Sequence, residues 1–196
     1  MKKTRNLTKN KIVAAAWKLF SERGYEDTTI DEIVEESGTS KGSFYHYFEG
    51  KDALLGTLSI IFDEKYDELR TQLTPEMGSI GQLIFLNQEL FKMIDNSIPL
   101  ELLTRLLSSQ LITRSEKHLL DRNRTYFRII SGIVSEGQNS GEIRSDLTVN
   151  ELVKAYAMME RGLMYDWCLS GGDYALSRYA REIMPVFLNG FRGESN

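Results

Sequence analysis

Between Thr28 and Lys51 the chain reads TTIDEIVEESGTSKGSFYHYFEGK, and few local structures satisfy that order of residues. Thr29 with Glu32 forms a Thr-x-x-Glu capping box, in which each residue serves the other's orphan backbone group at a helix start. Ile30, Ile33 and Val34 then share one side of a helix, at the i, i+3, i+4 spacing. Gly38 follows, the residue type that ends helices by accepting a left-handed backbone. Ser40 can cap a second helix one tight turn later. Two short helices around a Gly-containing turn make a helix-turn-helix pattern.

The second helix sorts its residues by face. At about 100° per residue, Phe44, Tyr47 and Phe48 turn inward. Gly42, Tyr45 and His46 turn outward, flanked by Lys41 and Ser43. A cation, a hydroxyl, a phenol, an imidazole and a glycine beside a helix N-terminus suit an anionic polymer. The bulk composition does not argue for one. Over 196 residues the net charge is −4, with 41% hydrophobic and 27% charged residues. The distribution matters more: Met1 to Lys51 holds nine basic against eight acidic residues. Lys2, Lys3, Arg5, Lys9, Lys11 and Lys18 all precede the first acidic residue, Glu22, a basic arm placed to neutralise phosphates.

SKGSFYHYFEGKDAL closely resembles the recognition-helix signature of TetR-family transcriptional regulators, and TTIDEIVEESG resembles the first helix of that family's helix-turn-helix. The specific part spans roughly Ile12 to Leu55. The resemblance implies an all-α fold of about nine helices: a three-helix DNA-binding head over 1–50 and a ligand-binding, dimerising body over 51–196. It implies that Thr29, Ser40, Lys41, Gly42, Ser43, Tyr45, His46 and Lys51 face DNA, on a palindromic operator bound by a homodimer. It also implies a repressor released by a small apolar or amphipathic effector, whose pocket residues the sequence does not name. The alternative is an adaptor of the same fold that binds a protein partner and needs no small molecule. A pocket of several hundred Å³ with convergent polar groups favours the first reading.

The flanking segments read as helices. Leu7, Thr8 and Ile12 form a staple around a cap, opening a first helix that Gly24 closes. From Lys51 to about Leu73 the apolar positions keep helical period, predicting one helix about 34 Å long as the only covalent link from head to body. Pro75, Gly78 and Gly81 break the pattern. Further stripes run through Ile80–Ile94, Leu102–Leu111 and from Glu116 to about Asn139. Thr148 with Glu151 makes a second capping box. The last two helices follow, with Pro185 inside the final one.

By the family layout those two helices pair with the same two of a second subunit, through Leu152, Tyr156, Glu160, Leu163, Ile183 and Phe187. Glu160 stands out because it lies near the centre of the apolar stripe Leu152–Trp167. A carboxylate there is costly unless partnered. An Arg across the dimer interface is the expected partner, ahead of a polar group on a ligand.

Enzymatic readings find no support. The two histidines, His46 and His118, have no metal-ligand spacing around them. No Walker A, G-x-S-x-G or dinucleotide glycine pattern occurs. No cofactor is expected. Cys168 is the lone cysteine, so no intrachain disulfide forms and a reducing cytoplasm fits. No apolar run approaches the ~20 residues that span a bilayer, and no secretory signal is expected.

Overall fold

A computed structural model describes residues 2–112 and 117–193, with residues 2–6 described in their backbone alone. The side chains of Lys2, Lys3 and Arg5, half of the expected basic arm, therefore lie outside the described residues, as does Glu116. The described residues form ten α-helices and two single 3-10 turns. They part into two compact units, residues 1–60 with 101–118, and residues 61–100 with 119–196.

The first unit holds α1 (Lys2–Arg23), α2 (Ile30–Ser37), α3 (Lys41–Tyr47), α4 (Lys51–Leu55) and most of α7 (Leu100–Ile112). Its apolar stripes meet in one core of Ile12, Ala16, Phe20, Ile33, Phe44, Phe48 and Leu54, joined by Leu102 from α7. Two expectations are corrected here. The first helix begins at Lys2, not at a Thr8 cap, because residues 2–7 contain neither Gly nor Pro to stop a helix of Lys, Arg and Leu. The long helix from Lys51 is broken: α4 ends at Leu55 and α5 begins at Leu58. At the break the Thr57 hydroxyl turns back onto the Leu54 carbonyl at 2.5 Å and accepts the Trp17 indole N–H at 2.9 Å. Helical period continues through the break, so the sequence pattern does not reveal it. The chain also passes between the units three times, after residues 60, 100 and 118. The Lys51 segment is thus one of three covalent links, not the only one.

The second unit contains most of α5 (Leu58–Arg70), with α6 (Gly78–Ser97), α8 (Thr125–Ser140), α9 (Val149–Leu169) and α10 (Leu176–Asn189). The stripe expected from Glu116 becomes a 3-10 turn at His118–Leu120 followed by the shorter α8. The Thr148–Glu151 capping box opens α9 as expected. By contrast α6, α8 and α10 have no local side-chain cap. Distant carboxylates supply one instead. Glu142 accepts from Ser79 and Ile80 N–H, Asp63 from Tyr126 N–H, and Asp95 from Leu176 and Ser177 N–H. Each satisfies orphan donors and sits at the positive end of the helix dipole, so these contacts fix tertiary packing and helix starts together.

Gly137 marks a close approach of α8 to its neighbours. A Cβ there would lie 2.6 Å from Ile143 Cδ1 and 2.8 Å from Ser79 Cβ. Gly137→Ala should therefore destabilise the chain by about 1–3 kcal/mol through overpacking, despite alanine's better helix propensity. Chemical denaturation measures this, and an unchanged or higher midpoint would refute the close approach.

Candidate nucleic-acid interface and body cavity

The helix-turn-helix forms as its residues dictate. Thr29 Oγ1 accepts from Glu32 N–H at 3.3 Å while the Glu32 carboxylate accepts from Thr29 N–H at 2.8 Å. Gly38 is left-handed at φ 60°. Ser40 Oγ accepts from Ser43 N–H at 3.1 Å and opens α3. Phe44 and Phe48 are buried and Tyr47 is half-buried, as the face assignment requires. Thr29, Ser40, Lys41, Gly42, Tyr45 and His46 are exposed and Ser43 is half-buried. Tyr45 leaves 54% of its surface to solvent. A Cβ at Gly42 would meet no atom nearer than Ser40 Oγ at 3.9 Å, so the fold itself does not demand glycine there. Lys41 pairs with Asp31 at 2.7 Å, both largely exposed, a weak bond readily exchanged for another anion.

Lys51 departs from its expected role. Its ammonium donates to the backbone carbonyls of Tyr25, Thr28 and Glu26 at 2.6, 2.8 and 3.3 Å. It also lies 4.3 Å from the centre of the Tyr25 ring. An ammonium has three donors, and all three are used inside the head. The assignment of Lys51 to a DNA phosphate is corrected to a clamp on the loop that precedes α2. The other face of Tyr25's surroundings is held by α7. Arg105 stacks 4.7 Å from the Tyr25 ring and pairs with Glu26 and Glu101. The Tyr25 hydroxyl donates to Asp52, and burial with that carboxylate pushes its phenol well up. Sequence reasoning missed Arg105, since nothing on α7 marks it as the partner of Glu26, 79 positions earlier in the chain.

The predicted dimer face of α9 is turned the other way. Leu152, Tyr156, Glu160 and Leu163 are buried within the single chain, and Ile183 and Phe187 on α10 are half-buried. A side chain already buried has little surface left for a second copy, so the α9 positions belong to the chain's own core. The outward apolar side chains of these helices are Met158, Tyr165 and Leu169 on α9 and Tyr179 and Val186 on α10, with open space around Gly162 between them.

Glu160 finds its partners inside the chain rather than across an interface. Its carboxylate accepts from Tyr126 Oη at 2.7 Å, Asn87 Nδ2 at 3.0 Å and Tyr66 Oη at 3.3 Å. Burial pushes the Glu160 carboxyl up, and the hydrogen bonds from Asn87 and the tyrosines only partly offset it. Asn87 Oδ1 is buried without a partner. Beside this cluster lies a cavity of about 30 Å³ lined by Phe62, Tyr66, Leu90, Leu119, Arg124, Tyr126, Ala157, Glu160, Arg161 and Met164. That is about the room one water occupies, far short of the several hundred Å³ expected of an open effector pocket. Arg124 is held by Asp63 through two bonds, at 3.0 and 3.1 Å.

Two family models cover this geometry. One, described as bacterial regulatory proteins of the tetR family, matches residues 12–58. The other, described as the C-terminal region of YsiA-like protein, matches residues 62–190. The chain belongs to the TetR family of bacterial transcriptional regulators. The HTH-type transcriptional repressor KstR2 of Rhodococcus jostii is 24% identical over 96% of this chain and 93% of its own length. The fatty acid metabolism regulator protein of Bacillus subtilis is 21% identical over 93% of this chain and 95% of its own. Among solved structures, Thermus thermophilus FadR in complex with lauroyl-CoA superposes with a TM-score of 0.73 at 20% identity, covering 95% of this chain and 96% of that one. For this TetR-family regulator the solved structure supports the fold. No described helix is long and apolar enough to cross a membrane.

Two outcomes follow for the charged groups. Lys51→Met leaves three carbonyls without their donor, so the head should lose about 1–3 kcal/mol of stability, read by thermal unfolding; an unchanged midpoint would return Lys51 to the solvent face. Glu160 holds its proton more tightly folded than unfolded, so its contribution is full below the ordinary carboxylate range and is lost as pH rises through the folded value. Glu160→Gln should therefore unfold at a higher temperature than wild type at neutral pH. The gap should close on acidification, and a gap that widens would contradict the raised carboxyl.

Proposed function

We propose that this chain is a homodimeric repressor that holds a palindromic operator through α3 and releases it when a fatty-acyl ligand, an acyl-CoA foremost, enters the body. The observation that carries the DNA reading is the outward face of α3. Lys41, Gly42, Ser43, Tyr45 and His46 stand on a capped helix whose opposite face is locked into the head core. Lys41 and the helix start suit phosphates, while Ser43 and Tyr45 suit base edges and thymine methyls. Thr29 and Ser40 stand at the starts of α2 and α3, where backbone N–H groups also favour phosphate. The chain acts by binding rather than by catalysis in this reading.

A single recognition helix covers few base pairs, so tight binding requires two heads. The stripe Met158, Gly162, Tyr165, Leu169 and its neighbours Tyr179 and Val186 supports a twofold pairing of α9 and α10, with the half-buried Ile183 and Phe187 at its edge. The acyl ligand is suggested by the Bacillus subtilis relative, a fatty acid metabolism regulator, and by the lauroyl-CoA complex of the Thermus thermophilus protein. The cavity beside Glu160 has only about 30 Å³ open in this form, so an acyl chain entering there has to part the helices around it. That requirement is the coupling: the ligand favours a body shape that the closed form lacks.

Two measurements test this. Tyr165→Asp combined with Val186→Asp should give folded monomers in sedimentation, and a persisting dimer would refute the outward stripe. Lauroyl-CoA should weaken binding to DNA selected by the chain by roughly 5- to 150-fold, with DNA weakening lauroyl-CoA binding by the same factor. Equal affinities with and without DNA would end the effector reading and favour an adaptor.

A further inference from the structure

We infer that the cavity beside Glu160 recognises a negative charge on its ligand through the Arg161 guanidinium. This deepens the ligand-responsive reading above and specifies the ligand's chemistry: an apolar chain with an anionic end, either the carboxylate of a free fatty acid or a phosphate of an acyl-CoA.

Each polar group lining the cavity except one already has a partner. Tyr66 and Tyr126 donate to Glu160. Arg124 is held bidentately by Asp63. Glu160 accepts from both tyrosines and from Asn87, and its burial favours the neutral carboxyl. Arg161 is half-buried and lines the same cavity, yet it makes no hydrogen bond or ion pair among the described residues. Desolvation pulls its guanidinium below the ordinary value; Tyr126 and Glu160 push it back up in part, and the nearby charges of Arg122 and Arg124 add to the lowering. Arg122 itself lies over the Phe127 ring, 4.7 Å from its centre. Three guanidiniums thus gather where Asp63 pairs directly with one of them.

A desolvated guanidinium with five unused donors is costly. Its planar fork matches the oxygens of a carboxylate or phosphate two at a time. The apolar lining from Phe62, Leu90, Leu119 and Met164 gives the adjoining chain its environment. Met164 is the adaptable member, since a thioether side chain repacks easily around a guest.

The test measures binding to the full-length protein without DNA, using dodecanoate, lauroyl-CoA and the uncharged 1-dodecanol as probes. At least one anionic probe should bind roughly 10- to 100-fold more tightly than dodecanol, the range that a charge-assisted contact supplies. The probe that gains identifies the source of the charge. Arg161→Gln should abolish the preference, Arg161→Lys should restore part of it, and Arg181→Gln on exposed α10 should leave it intact. If dodecanol binds wild type as tightly as both anions, Arg161 merely reaches into water and the inference fails. It fails equally if Arg161→Gln and Arg161→Lys both keep the full preference. A protein that shows the preference but holds DNA regardless would sink the release reading while upholding this site.

Discussion

Removing a carboxylate from water costs several kcal/mol unless hydrogen-bond donors replace the lost hydration, and the body of this chain is arranged around one such carboxylate. Glu160 projects from α9 into the apolar interior, and its donors come from three other helices: Tyr66 on α5, Asn87 on α6 and Tyr126 on α8. Their placement is supported by further polar contacts. Tyr156, one turn before Glu160, donates to the Leu83 carbonyl of α6 at 2.8 Å. Asp63, one turn before Tyr66, caps the start of α8 and holds Arg124. Satisfying one buried carboxyl group therefore sets the mutual positions of four helices, and any ligand that parts them acts on the whole set.

The same accounting explains the head. The loop between α1 and α2 exposes the carbonyls of Tyr25, Glu26 and Thr28, and one ammonium serves all three. That ammonium comes from Lys51, just beyond α3, so the clamp ties the loop before the helix-turn-helix to the residue after it. Arg105 of α7 adds a second tie at Tyr25 and Glu26. The orientation of α3 thus depends on side chains that need not touch DNA themselves.

Local features were legible in the sequence because they obey local rules. Both capping boxes, the left-handed Gly38, the Ser40 cap and the inward set of Phe44, Tyr47 and Phe48 follow from spacing within a few residues. Glu160 was legible as an anomaly, a carboxylate centred on an apolar stripe. Its partners were not, because they lie 34 to 94 positions away in the chain. Helical period also assigns residues to a common face without saying what covers that face. The Leu152–Leu163 stripe looks the same whether it meets a second subunit or its own core. The break at Gly56–Thr57 was hidden for a related reason: a side-chain bond to the backbone ends α4 while the apolar period runs on. For Lys51, its place just after the recognition helix suggested phosphate, and only the count of satisfied donors shows otherwise.

In the proposed repressor two copies of α3 read DNA together. Selecting bound sequences from a random double-stranded pool tests it most directly. The pool should be enriched in one inverted repeat whose half-site centres lie about one helical turn, roughly 34–36 Å, or a small multiple of it, apart, with Tyr45→Ala shifting the bases preferred within each half. Recovery of no common motif, or of the same motif with Tyr45→Ala, would contradict it.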